Sequence, residues 1–326
     1  MSVNIEKTTG SAYLAFPEMI SELEKEFLNR KICTKEQFEK RILYGELIYF
    51  PTLTMDKVPF WCKSAMYDLF IMKFDSITDA VHGLCDIQRN WSPAFFTHFR
   101  RGMLIQEKMP YVNLKIRSFP CTIPQSPIGM YTLLDEHTIL ASAKTTDFLP
   151  SGHIELEEDH ENPPSRAYLK LQEALIRMPY LFPEHDIELP KNGTKCLDVG
   201  ASPGGWTWVL RRFCCNITSV DRAELSPRLM ADRYINFIKH DVFSLTPEDL
   251  GEFEWIFSDI ICYPERLYEW VQMWRKSEKF SKMICTIKLQ GEENWEIIER
   301  FAAIPNSRVL HLNYNKHEFT FFHINK

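Results

Sequence analysis

The chain has 326 residues, enough for two domains of ordinary size, and its 45% hydrophobic and 25% charged residues exclude a largely disordered polymer. No stretch reaches the roughly 18 uncharged apolar residues of a membrane span, and the N-terminus MSVNIEKTTG lacks a basic-then-apolar signal, so a soluble cytoplasmic protein with no membrane partner is expected. The net charge of −6, with 17 basic against 21 acidic residues in 1–160 and 21 against 23 in 161–326, gives no general attraction for polyanions, so nucleic-acid binding would need a local basic patch.

In chain order, the first ten residues are expected to be a loose tail. Residues 11–30 predict a strand and then an amphipathic helix, with Met19, Leu23 and Phe27 at four-residue spacing. A second strand is expected at 47–50, and residues 59–84 mix helical and strand periods. Residues 92–102 read as a helix carrying Arg100 and Arg101, and 111–119, YVNLKIRSF, alternates like a half-buried strand. Residues 128–148 supply one or two more strands. The acidic, proline-bearing LPSGHIELEEDHENPPS is the best linker, which sets an α+β accessory domain at 1–160, divisible into two subdomains, and a second domain at 161–326.

Beyond the linker a helix is expected to begin at Ser165, its N-cap, and to run through Lys170. Strands at 196–199, 217–221, 235–239, 255–258 and 283–288 then alternate with helices at 206–213, 227–233, 265–275 and 294–303. That rhythm predicts a parallel sheet with helices on both faces. It breaks at the end, where strands 308–314 and 318–324 are joined by the short turn Asn315-Lys316-His317, as in an antiparallel hairpin. A mostly parallel, Rossmann-like sheet of seven strands with a terminal antiparallel hairpin is the outline of a class I S-adenosylmethionine methyltransferase.

In such a sheet, ligands sit beyond the carboxyl ends of the strands. Collected there are the loop Gly200-Ala201-Ser202-Pro203-Gly204-Gly205 after a strand bearing Asp198, with Trp206 opening the next helix, and Asp221, Asp241, Asp259 and Lys288 at successive strand ends. Asp221 suits a ribose diol, whose hydroxyls both donate to a carboxylate. GASPGG lacks the GxGxxG spacing that brings a helix onto pyrophosphate, so a cofactor without phosphate fits better. Lys288 closes an apolar run, where burial or a neighbouring cation such as Lys170 is expected to lower its pKa and make it a proton acceptor held by Asp259. Nine cysteines without a CxxC pair read as reduced core residues, and no His/Cys/Asp cluster has metal-ligand spacing. The densest basic set of the first half, Arg100, Arg101, Lys108, Lys115 and Arg117, is interleaved with Phe99, Tyr111 and Phe119, a mixture able to touch phosphates and stack on bases but equally an ordinary solvated face.

DVGASPGGWTWVL, Asp259 at a strand end, Lys288 in TIKLQ and Glu318 in KHEFTFF together resemble the FtsJ-like family of ribose 2′-O-methyltransferases. PPSRAYLKL places Lys170 where that family carries the first lysine of a Lys-Asp-Lys-Glu tetrad, and PSR-x-x-LKL looks most like the RlmM-type bacterial enzymes that methylate a cytidine ribose of 23S ribosomal RNA. The resemblance implies S-adenosylmethionine as cofactor, held by Asp198, the loop 200–205, Trp206, Asp221, Asp241 and Asp259. It further implies RNA, of the ribosomal class, as acceptor and Lys170, Asp259, Lys288 and Glu318 as the catalytic set. It covers 163–326 and fades over 1–160; SDIICYPE keeps the family's strand-end aspartate while altering the loop after it. A cap or other-acceptor methyltransferase of the same fold, and a binding module that has lost catalysis, are the alternatives.

Overall fold

The structure, a computed structural model, describes residues 3–291 and 293–325. Within them the chain forms two compact units, the first running to Arg117 and again from Thr122 to Glu155, the second taking Ser118–Cys121 and everything from Leu156 onward.

The first unit contains β1 (Asn4–Lys7), β2 (Ser11–Ala15), α1 (Ile20–Asn29), α2 (Lys35–Glu39), β3 (Ile42–Tyr44), β4 (Leu47–Phe50), β5 (Cys62–Tyr67), β6 (Phe70–Lys73), α3 (Ile77–Ile87), β7 (Trp91–Pro93), α4 (Phe99–Lys108), β8 (Gly129–Asp135), β9 (Thr138–Ser142) and β10 (Lys144–Thr145). Two five-stranded sheets result, ordered β1-β6-β9-β8-β7 and β10-β5-β2-β4-β3. Alternation along β2 explains the layering: Ala12 and Leu14 join Met66, Met130 and Leu140 in one core cluster, while Tyr13 points the other way into an aromatic group with Phe27 of α1 and Phe50. A second cluster, with Met72, Trp91, Ile105 and Tyr131, packs α3 and α4 on the other sheet.

Three sequence expectations fail here. Residues 4–7 are not a tail but strand β1, paired with β6. The helix expected at 92–102 starts only at Phe99, because Trp91–Pro93 pairs parallel with β8. Residues 111–119 form no strand: prolines at 110, 120, 124 and 127 bracket the segment, most of it is exposed, and its alternation buries no face.

The second unit follows the expected alternation. It comprises α5 (Tyr168–Leu181), β11 (Lys195–Val199), α6 (Gly205–Arg212), β12 (Asn216–Asp221), α7 (Pro227–Met230), β13 (Ile235–Lys239), α8 (Pro247–Leu250), β14 (Phe253–Ser258), α9 (Pro264–Ser277), β15 (Phe280–Lys288), α10 (Trp295–Ala302), β16 (Ser307–Leu310) and β17 (Glu318–Ile324). The sheet is ordered β13-β12-β11-β14-β15-β17-β16; β11 to β15 are parallel, and β17 inserts antiparallel between β15 and β16. Strand order reverses at β11, which places a cleft over the ends of β11, β12 and β14. Ser165 does not cap α5, whose first residue is preceded by Ala167 in helical conformation. No helix among the described residues is long and apolar enough to cross a membrane.

The chain leaves β11 through Gly200 at φ +70°, where a Cβ would lie 2.6 Å from the Cα of Ile260. Both the backbone angle and the close approach of the loop after β14 demand glycine. Gly200→Ala is therefore expected to destabilise the fold by roughly 1–3 kcal/mol, read as a lower urea midpoint of the full chain; an unchanged midpoint would show that the two loops do not bear on each other.

Candidate active site

Four charged side chains meet at the carboxyl edge of the sheet. Asp259 follows β14 and its amide donates to the Val199 carbonyl, which sets the carboxylate between β11 and β15. Lys170, from α5, reaches both oxygens of that carboxylate at 2.9 and 2.8 Å and Glu318 Oε1 at 3.0 Å. Lys288, the last residue of β15, lies 2.5 Å from Asp259 Oδ1 and also donates to Glu318. The antiparallel register pairs Lys288 directly with Glu318. Two cations and two anions thus alternate in a closed ring, each side chain less than a fifth exposed.

Charge compensation decides how these groups titrate. Burial of Lys288 works against its ammonium, but Asp259 and then Glu318 outweigh burial and hold its pKa above the ordinary lysine value. This corrects the sequence expectation of a lowered pKa: the expected neighbouring cation, Lys170, is present, yet two carboxylates come with it. Burial would raise the Glu318 carboxyl; Lys170 and Lys288 overcome that and bring it down to about 2.

Further residues, missed in the sequence, orient the ring. Thr286 Oγ donates to Asp259 Oδ1 at 2.7 Å, and Asn315 Nδ2 donates to Glu318 Oε1 at 3.2 Å while its own carbonyl oxygen accepts from the Leu312 amide and Thr320. Thr286 was readable, since it sits two residues before Lys288 and so on the same side of the strand. Asn315 was not, because its role depends on the β16–β17 turn. Buried Glu173, one turn beyond Lys170, accepts from Asn313 Nδ2 and the Tyr314 amide and so ties α5 to that turn.

Beside the ring, and sharing Asp259 with it, is a cavity of about 350 Å³ lined by Gly200, Ser202, Asp221, Asp241, Phe243 and Ile260, among others. Asp221 accepts from the Ser202 amide at 3.0 Å and the Ala223 amide at 2.9 Å, which fixes its carboxylate at the cavity wall. The Phe243 amide, and then Arg222, keep the Asp241 carboxyl below its usual range. Arg266 lies over the Phe243 ring at 3.9 Å. The lining carries three carboxylates, of which Asp241 is paired with Arg222 and lies near Arg266; Asp221 and Asp259 remain to meet a diol or a positive charge.

Other residues expected at the cofactor lie elsewhere. Asp198 is fully buried beneath the loop, accepts from Thr207 of α6 at 2.6 Å, and is pushed up to about 7 by burial. Trp206 is buried with its indole donating to the Ala167 carbonyl at 3.0 Å. A Cβ on Gly204 or Gly205 would strike Leu229 or Ser165, so these glycines serve close packing of α6. Ala201 and Pro203 continue the loop without lining the cavity. Of the basic set in the first half, Arg101 turns onto Phe74 at 5.5 Å, and Phe119 packs against Phe213 in the second unit at 5.7 Å.

Such a fold, with this ring and cavity at its carboxyl edge, defines a class I methyltransferase domain. Residues 163–285 match the model of the FtsJ-like methyltransferase family. Among curated relatives, a ribosomal RNA large subunit methyltransferase M from Xylella fastidiosa (strain M12) is 33% identical over 210 residues, 61% of this chain and 58% of that protein. One of the same name from Xanthomonas campestris pv. campestris (strain B100) is 31% identical over 232 residues, 70% of this chain and 61% of that protein. The chain thus spans about three fifths of the length of the curated relatives it matches. A solved fibrillarin pre-rRNA processing protein of Methanococcus jannaschii, 18% identical, covers 48% of this chain and 74% of its own with a TM-score of 0.34, too remote to bear on activity.

The depressed Glu318 carboxyl sets a pH dependence of stability. Its folded pKa lies below the unfolded 4.5, so its contribution, roughly 3 kcal/mol at most, is present above pH 4.5 and is lost as pH falls through about 2. Urea midpoints of wild type and Glu318→Gln should differ at neutral pH, draw together below pH 4.5 and converge only at about pH 2 and below; a constant gap would contradict the ion-paired state.

Proposed function

We propose that this protein transfers the methyl group of S-adenosylmethionine to a ribose 2′-hydroxyl of RNA, with ribosomal RNA the acceptor suggested by the names of its relatives. The observation that carries the reading is the closed Lys170–Asp259–Lys288–Glu318 ring opening onto the acidic cavity through the shared Asp259. Asp221 would hold the cofactor's ribose diol, and Asp241 with Phe243 would face its base. The cofactor supplies a methyl group already activated by a positive sulfur.

The chain's own residues must then align the 2′-oxygen with that methyl group and accept one proton as the O–C bond forms and the C–S bond breaks. Lys288 is held as an ammonium in the resting ring. It becomes a base only after giving up a proton, and a sulfonium placed beside it favours that loss. Asp259 orients Lys288; Lys170 and Glu318 position the ribose and keep the ring neutral when a proton moves. The first unit is the candidate for holding the RNA, and a cytoplasmic location goes with that acceptor.

Lys288→Ala is expected to lower tritiated methyl transfer to RNA by about a hundredfold or more while the thermal shift produced by S-adenosylmethionine persists; transfer at the wild-type rate would remove Lys288 from the mechanism. Because Lys288 must first deprotonate, wild-type turnover should climb with pH through neutrality by up to about tenfold per unit. A profile flat from neutral to alkaline pH would assign the proton to another group.

A further inference from the structure

We propose that a cavity in the first unit, lined by Asn90, Tyr111, Asn113, Arg117, Ser126 and Phe148, receives one unstacked nucleobase of the RNA. The proposal rests on the RNA acceptor argued above and adds a contact away from the catalytic ring. The cavity measures about 230 Å³, space for a single planar ring and not for a stacked run.

Its lining has the chemistry of base recognition. Tyr111 is 73% exposed and Phe148 43% exposed, two aromatic rings left at the surface. Base–aromatic stacking tolerates any sequence because every base has a π-face. Asn113 Oδ1 accepts from the Tyr111 hydroxyl at 3.3 Å and from the Lys115 amide at 3.1 Å. That ties the Tyr111 hydroxyl to Asn113 and leaves the Asn113 carboxamide its NH2 group as a donor. Asn90, whose Nδ2 reaches the Pro127 carbonyl at 3.5 Å, and the Ser126 hydroxyl add groups that can read a base edge. Arg117 Nη2 lies 3.5 Å from the Asn113 carbonyl, so its guanidinium sits at the rim where a phosphate would pass.

Charge separates this cavity from a second open one of about 540 Å³, whose lining includes Glu157, Glu158, Asp159 and Glu161 and would repel a phosphodiester. The Tyr111 cavity carries Arg117 and no carboxylate among its described lining residues. With a net charge of −6, the chain cannot hold RNA by bulk attraction and must take affinity from local contacts. Segment 110–128 forms no strand: Tyr111 lies outside any backbone ladder, and Arg117 is anchored by a single bridge, its amide donating to the Glu155 carbonyl at 2.9 Å.

The test is fluorescence anisotropy of the full chain with a short fluorescein-labelled single-stranded RNA of mixed sequence, and with the same RNA annealed to its complement. Tyr111→Ala should weaken single-strand binding about tenfold, the loss of one stacked base, and Tyr111→Phe should stay near wild type; duplex binding should not change, because its bases are already stacked. Tyr111 is mostly exposed, so an unaltered melting temperature is expected of both variants. Single-strand affinity indifferent to Tyr111→Ala, or an equal loss on duplex, overturns the proposal. Methyl transfer by wild type to the same RNA is measured alongside: transfer with Tyr111-independent binding overturns only the pocket, whereas Tyr111-dependent binding without transfer to any RNA overturns only the reaction.

Discussion

Two ammonium groups, on Lys170 and Lys288, are held against one carboxylate in a poorly solvated edge of the sheet, and much of the second unit's arrangement follows from that requirement. Neither lysine could stay charged there alone, since an ammonium withdrawn from water without a partner is strongly disfavoured. Asp259 answers one positive charge and Glu318 the other. That pairing needs β14 and β17 on either side of β15, and a parallel strand continuing the alternation could not turn Glu318 back to face Lys288 in register. The terminal hairpin therefore completes the ring as well as closing an edge of the sheet. Buried Glu173 fixes the remaining distance, between the helix of Lys170 and the turn ahead of Glu318.

Asp259 also borders the acidic cavity, so one side chain belongs to two sites. A positive ligand in the cavity would draw on the same carboxylate that stabilises both lysines. Sharing of that carboxylate would weaken its hold on the Lys288 ammonium, so a ligand in the cavity and the charge on Lys288 are linked through one side chain. No long-range movement is needed for such coupling.

The sequence made the second unit readable because β/α alternation leaves a strong periodic record and because strand-end acids and lysines break otherwise apolar runs. Asp259 and Lys288 could be named for that reason, whereas Glu318 and the role of Lys170 came from the family resemblance; the structure brings the four side chains together. The protonation state of Lys288 could not be read, since it depends on the sum of three neighbours from separate elements. Asp198 and Trp206, expected at the cofactor, are buried, because a strand-to-helix loop shows its residue types but not which of them turn inward. In the first unit the record is weaker. Short strands such as β7 draw their partners from distant sequence, and a proline-flanked stretch like 111–119 can alternate without any sheet to receive it.

The chain passes from the first unit to the second at Arg117–Ser118, returns at Cys121–Thr122, and leaves for good at Glu155–Leu156. The short visit is not idle: Phe119 packs on Phe213, beside the end of α6, and Ser118 donates to Glu157. A gene rearrangement that joined residues from 156 onward to a different accessory unit would leave that patch behind and bare the Phe213 ring. A single crossover at residue 156 thus cuts through the second unit, and an intact exchange would have to carry residues 118–121 along with it.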